Sequence, residues 1–291
     1  MSHVHKLDIE GHKIVALTLN PLAKGQPFIL MHGVAHSIYF WQLDNVFQDY
    51  GKCYSLSLPG HFPASFPSNF RRSEFNADMI ARILTKAIRQ LVGDQQVTLV
   101  GISTGGFSAL NIARYAPEFV KRVVCISGFA HGEWIGVLGI YQSLARLGIL
   151  GETLFRLGYA HTANSRTMFT AGARTAFANS DIFDNHPQRE TIIALLYPFF
   201  QKLDKKAMLH YFATMPDINI RQSLSKICVP TLVMAGDKDP VVPPTQAHII
   251  AESVPHAELA MIPDAGHLLF AEKPQAYEHV LKEWLENTTL A

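Results

Sequence analysis

Short apolar runs separated by amphipathic segments set the tightest limit on what this chain can become. "QVTLVGIS" (96–103) is apolar and β-branched throughout, "GGFSALNIARYAPEFV" (105–120) has helical character up to Pro117, and "VKRVVCISG" (120–128) is apolar again. Upstream, "KIVALTLN" (13–20), "PFILMHG" (27–33) and "KCYSLSLPGH" (52–61) read as strands. Phe75, Met79, Ile80, Ile83, Leu84, Ala87, Ile88 and Leu91 recur at helical steps between the third and fourth of these runs. Strands with no polar alternation are buried on both faces, so the pattern predicts an α/β protein with a doubly wound, mostly parallel sheet.

The alternation stops near Phe129 and is helical only until Gln222. It resumes with "KICVPTLVMAGDKD" (226–239) as strand, "PPTQAHIIAESV" (243–254) as helix, "AELAMIPDAGH" (257–267) as strand and "KPQAYEHVLKEWLEN" (273–287) as helix. A break of roughly 90 residues is too long for a loop. The expected organisation is a core over residues 1–129, a helical cap over 130–222 inserted after the sixth core strand, and the rest of the core over 223–291. The insertion leaves the sheet at a strand's C-terminal end, the edge at which open α/β sheets bind ligands.

Composition removes several classes of function. With 48% hydrophobic residues and a net charge of +1, the chain is neither disordered nor basic enough to suggest nucleic acid as a partner. The most apolar stretch, Trp134 to Leu150, is interrupted by Gln142, Ser143 and Arg146, so no stable membrane insertion is expected. The N-terminus lacks a basic-then-apolar leader, and Cys53, Cys125 and Cys228 are scattered in strand-like apolar settings. Buried thiols in a reducing compartment, the cytoplasm, are the expectation. His3, His5 and His12 have no Cys or carboxylate to complete a ligand set, so no metal and no cofactor is expected.

Where the strand-like run 96–103 meets the helix that follows lies Gly101-Ile102-Ser103-Thr104-Gly105. A turn this sharp brings the residues two before and two after the serine together, which calls for glycine at both. A glycine bend with an idle serine would look the same in isolation, so the surroundings decide. "LMHGVAHS" (30–37) follows a buried strand and frees the Val34 N–H, which with the Thr104 N–H forms an oxyanion hole. "AGDKDPVVP" (235–243) puts acids after a late strand, and "IPDAGHLLF" (262–270) puts His267 after the last one.

On these residues the sequence resembles the α/β-hydrolase fold superfamily, in its capped, serine esterase/lipase-like branch. The resemblance spans nearly the whole chain outside the insertion. It implies Ser103 as nucleophile, His267 as general base and Asp239 as the acid that orients it. The family's Gly-x-x-Asp turn selects Asp239 from Gly236, leaving Asp237 to the surface and Asp264 to a structural turn. Where the family has Asp-x-Pro-Gly-His-Gly, this chain has "SLPGHF" (57–62), with Ser57 for the Asp and Phe62 for the Gly. His61 then reads as a satisfied turn residue, and Phe62 as one that projects toward the pocket.

Relatives of this fold that open epoxides or remove halogens use aspartate at the elbow, so a serine there implies acyl chemistry. The expected activity is hydrolysis of a carboxylic ester bearing an apolar acyl or aromatic group, through an acyl-enzyme. Thioesterase or acyltransferase activity, carbon–carbon bond hydrolysis, and a slow-turnover ligand receptor remain alternatives on the same triad. The substrate pocket is expected to include His32, Gly33, His131, Trp134, Val242 and Leu268. His131 and Trp134 are chosen because they leave the sixth strand's C-terminal end, and the aromatic-rich insertion favours a small apolar ester as partner.

Overall fold

A computed structural model describes residues 3–289. Eight strands form one sheet: β1 (His3–Ile9), β2 (His12–Thr18), β3 (Pro27–Met31), β4 (Lys52–Leu56), β5 (Val97–Ile102), β6 (Val120–Ile126), β7 (Thr231–Gly236) and β8 (Ala257–Ile262). Their spatial order is β1-β2-β4-β3-β5-β6-β7-β8. The β1–β2 and β2–β4 pairings are antiparallel and all the others parallel. Alternate residues feed opposite cores. Ile29, Leu99, Val123 and Val233 join one apolar cluster, while Leu30, Val100, Val124 and Leu232 join the other. That two-sided burial is why these strands carry no polar alternation.

One core is covered by α1 (Ala77–Val92) and α2 (Thr104–Tyr115), through side chains such as Ile83, Leu84, Phe107 and Leu110. Asn76 caps α1 by accepting from Met79 N at 2.9 Å. Between β6 and β7 the chain makes a helical excursion: α3 (Gly136–Arg146), α4 (Gly148–Asn164), α5 (Arg166–Arg174), α6 (Ser180–Asp184), α7 (Arg189–Phe200) and α8 (Lys205–Thr214). Then follow α9 (Thr245–Ser253), on the first core, the single turn α10 (Leu269–Glu272), and α11 (Pro274–Thr289), whose Leu281 and Leu285 fill the second core. The two ends of the excursion pair with each other. Gly132 N donates to Ile218 O at 3.0 Å and Ile220 N to Ala130 O at 2.9 Å. The Tyr211 hydroxyl of α8 donates to Pro59 O at 2.9 Å and ties the excursion to the loop after β4.

Three expectations need correction. Cys53 and Cys125 are buried, but Cys228 is exposed. The strand expected from Lys226 starts only at Thr231, because Pro230 has no N–H to enter the ladder and Cys228 precedes it in open loop. Phe62 is absent from the cavity described below; the Lys202 ammonium lies 5.4 Å from its ring centre instead. The apolar stretch 134–150 forms α3 and the corner into α4, where Leu147, Ile149 and Leu150 are exposed. Among the described residues no helix is long and apolar enough to cross a membrane.

These environments give opposite mutational outcomes. Leu99→Ala should lower the unfolding free energy by about 2–5 kcal/mol, as buried leucines do, whereas Leu150→Ser should stay within about 0.5 kcal/mol. Denaturant titration of both variants checks this; an equal loss at Leu150 would place that corner in a packed interface.

Candidate active site

The sheet's switch point is where β3 lies between β4 and β5, and the loops leaving β3 and β5 open a crevice there. Met31 pairs with Gly101, so both chains run off the sheet side by side. Ser103 sits at φ +57°, ψ −120°, in the left-handed region that a non-glycine residue occupies at a cost. A Cβ on Gly101 would lie 2.1 Å from Gly105 O, and one on Gly105 would lie 2.1 Å from Met31 O. Only glycine fits either place. Ser103 N donates to Ile126 O at 2.9 Å, and Phe107 N to Ser103 O at 3.0 Å, which pins the turn between β6 and α2.

Asp239 and His267 meet after β7 and β8. His267 Nδ1 donates to Asp239 Oδ2 at 2.7 Å. The other carboxylate oxygen accepts from Val241 N at 2.8 Å and Val242 N at 2.9 Å. Both side chains are buried. The bond leaves Nε2 of His267 as the acceptor nitrogen. Ser103 and His267 line one cavity of about 390 Å³. The Ser103 hydroxyl makes no hydrogen bond among the described residues, so its contact with His267 is not closed here; such bonds often tighten only around substrate. A nucleophile facing a base that a carboxylate orients can attack an acyl carbon. Asp237 is exposed, and Asp264 is exposed and ion-paired with Lys238.

The turn after β3 is built by two neutral histidines. His32 Nε2 accepts from Leu58 N at 3.3 Å, so its Nδ1–H donates to Gly33 O at 2.8 Å. His61 Nε2 accepts from Ala35 N at 3.2 Å. Burial pushes His32 from the ordinary 6.5 down to about 4, and burial with His32 nearby pushes His61 well down. Val34 lines the cavity and Thr104 opens α2; neither amide donates to a group among the described residues.

Of the expected pocket residues, Gly33 and Leu268 line the cavity and four do not. His32 lies behind the turn as a strut. His131 sits in the neck of the excursion, with its Nε2 3.0 Å from Pro216 O. Trp134 is buried between Phe129 and Phe212, with ring centres at 5.9 and 5.3 Å. Both Val241 and Val242 donate their amides to Asp239, but only Val241 stands on the wall. The excursion supplies more than half of the wall, including Leu138, Tyr141, Phe169, Ile193 and Phe200, and core loops supply the remainder. Among the described residues no Lys, Arg, Asp or Glu appears on the wall.

Sequence reasoning passed over Glu272. Its buried carboxylate accepts from Gly266 N at 3.0 Å, Leu268 N at 3.3 Å and Ala178 N at 2.9 Å, bracketing His267. Burial pushes this carboxyl up, while the three amides pull it back. A glutamate five residues after the histidine, at the end of one helical turn, was the available signal.

A family model described as the alpha/beta hydrolase fold matches residues 26–274. The chain belongs to that family. This α/β-hydrolase is 26% identical over 256 residues to 3-oxoadipate enol-lactonase 2 of Acinetobacter baylyi, covering 87% of this chain and 86% of the relative. Among solved structures it resembles an epoxide hydrolase from Acinetobacter nosocomialis (TM-score 0.77, 19% identity, 98% and 89% of the two chains). It also resembles a thermophilic esterase from Thermogutta terrifontis (TM-score 0.73, 18% identity, 98% and 99%).

The neutral histidines make the hydrolase acid-sensitive. Each binds a proton in the unfolded chain below about 6.5; when folded, His32 stays neutral down to about 4 and His61 is held well below its ordinary value, so folding is weakened as pH falls below about 6.5. His61→Asn should flatten the decline by up to about 1.4 kcal/mol per pH unit. Denaturant midpoints at pH 7, 5.5 and 4.5 measure it, and an unchanged slope would contradict the neutral assignment.

Proposed function

We propose that this hydrolase cleaves an uncharged carboxylic ester with an apolar acyl or aromatic group through an acyl-enzyme on Ser103. The carrying observation is that Ser103 and the Asp239-bonded His267 open on the same cavity, whose wall bears no charged side chain. In this reading His267 Nε2 takes the Ser103 proton during attack and returns it to the leaving alcohol. Asp239 fixes the tautomer and balances the imidazolium. The amides of Val34 and Thr104 receive the oxyanion. Water then repeats the sequence on the acyl-enzyme. The helices of residues 130–222 act as the cap that walls the acyl site, and no cofactor enters.

Two similarities pull toward other substrates, and particular residues favour the ester. The relative's name specifies 3-oxoadipate, an anion, whereas no Lys or Arg stands on this wall to receive a carboxylate. Burying an unpaired carboxylate there would be costly. The similarity to an epoxide hydrolase is one of fold, and the elbow here carries serine rather than aspartate.

Purified protein is expected to hydrolyse p-nitrophenyl esters of apolar acids and to be labelled by a fluorophosphonate. Ser103→Ala should lose the label and about four to six orders of magnitude in kcat. An ester whose acyl chain ends in a carboxylate should be turned over at least about 100-fold less efficiently than its methyl-ended counterpart. Persistent labelling of Ser103→Ala, or indifference to the carboxylate, would defeat the reading.

A further inference from the structure

The corner beside Ser103 holds three histidines, and two of them are committed. The ring nitrogens of His32 and His61 are engaged with backbone groups. His36, four residues after His32 on the same turn, is different. Its backbone N–H closes the turn onto Gly33 O at 3.3 Å, and its ring packs on Phe40 with centres 4.9 Å apart. Neither ring nitrogen has a hydrogen-bond partner among the described residues, and the side chain is only half-buried because it forms part of the cavity wall.

Its distance from the nucleophile can be gauged through Gly33. A Cβ added there would lie 3.3 Å from Ser103 Cβ and 3.5 Å from His36 Cδ2, the atom next to Nε2. Ser103 Cβ and His36 Cδ2 therefore both lie within contact distance of one point on Gly33, which sets the serine and the imidazole edge beside the same glycine of the cavity wall.

We propose that His36 is a further catalytic residue of this site, donating an N–H hydrogen bond from Nε2 to the carbonyl oxygen of the bound ester. The proposal rests on the ester-hydrolase reading and deepens it. When Ser103 attacks, negative charge gathers on that oxygen, and a donor already aimed at it stabilises the intermediate more than the ground state. The donor must be neutral, because His267 becomes cationic in the same step and a second cation beside it would oppose the proton transfer. The apolar cavity wall around the half-buried ring, with His32 and His267 nearby, pushes His36 down to about 3, which favours the neutral imidazole that this role requires. An imidazole in an otherwise apolar wall thus supplies an N–H without supplying a charge.

The test compares wild type, His36→Phe, His36→Ala and His36→Gln on one p-nitrophenyl ester and one trifluoromethyl ketone, which forms a hemiketal with the serine. His36→Phe and His36→Ala should lower kcat by about 10- to 100-fold with KM within about threefold, and ketone affinity should fall in parallel. His36→Gln, which keeps an N–H, should return to within about tenfold of wild type. Matched denaturant midpoints separate this from a packing effect, and if the phenylalanine variant does not fold, the alanine–glutamine comparison carries the result. Full kcat in His36→Ala, equal losses in the alanine and glutamine variants, or a loss confined to KM would overturn the proposal. If wild type hydrolyses no ester and takes no fluorophosphonate label, the ester reading fails and takes this one with it. A labelled, active wild type beside an indifferent His36→Ala overturns the His36 role alone.

Discussion

Everything at the site depends on three backbones approaching within a distance that no side chain can share. The end of β3, the end of β5 and the start of α2 converge so closely that a Cβ at either Gly101 or Gly105 would overlap a carbonyl oxygen. That convergence holds Ser103 at φ +57°, a geometry costing on the order of 1–3 kcal/mol, which must be offset elsewhere. The offset is visible in the packing. Phe107, Leu110 and Ile112 of α2 are completely buried against the sheet, and the amide of Ser103 is satisfied by β6. A looser turn would relax the serine and withdraw it from the crevice at the switch point.

The charge balance of the corner follows from the same crowding. With β3 and its loop pressed against the elbow, the side chains that support the loop have no access to water, so His32 and His61 serve as neutral hydrogen-bonded struts. Ionic struts would need partners that the space cannot hold. The buried carboxylate of Asp239 is tolerated because it accepts two amide hydrogen bonds as well as the His267 N–H. A proton transferred to His267 would therefore form an ion pair already solvated by the protein, while the cavity beyond it stays apolar.

The fold was legible because its signals are local. Buried strands lack polar alternation, helices repeat their apolar residues, and the elbow's glycines answer a steric demand within five residues. The pairing of Asp239 with His267 was implied by the family resemblance, and the structure seats the two residues after the adjacent strands β7 and β8. The cavity wall was not legible in the same way. His131 and Trp134 were chosen by proximity in sequence to β6, but the chain there enters the neck, where backbone pairing with 218–220 turns both into packing residues. Val241 and Val242 differ only in the direction imposed by the Asp239 turn. Ile193 and Phe200 arrive from α7, some seventy residues beyond β6, through helix packing that no spacing rule encodes.

The excursion does more than shape the cavity, because part of it also holds His267. Ala176 O accepts from His267 N at 2.9 Å, and Ala178 N donates to the same Glu272 carboxylate that secures Gly266 and Leu268. The segment between α5 and α6 thus fixes the height of the imidazole from above, while Ser127 Oγ, donating to His267 O at 3.0 Å, fixes it from the sheet side. Repacking residues 176–178 would move the wall and His267 together, because Ala176 and Phe177 also line the cavity. Leu138 of α3 and Ile193 of α7 face the same cavity without a hydrogen bond to the 266–268 loop among the described residues. Those two helices can therefore change what the cavity accepts while leaving the hydrogen bonds around His267 intact.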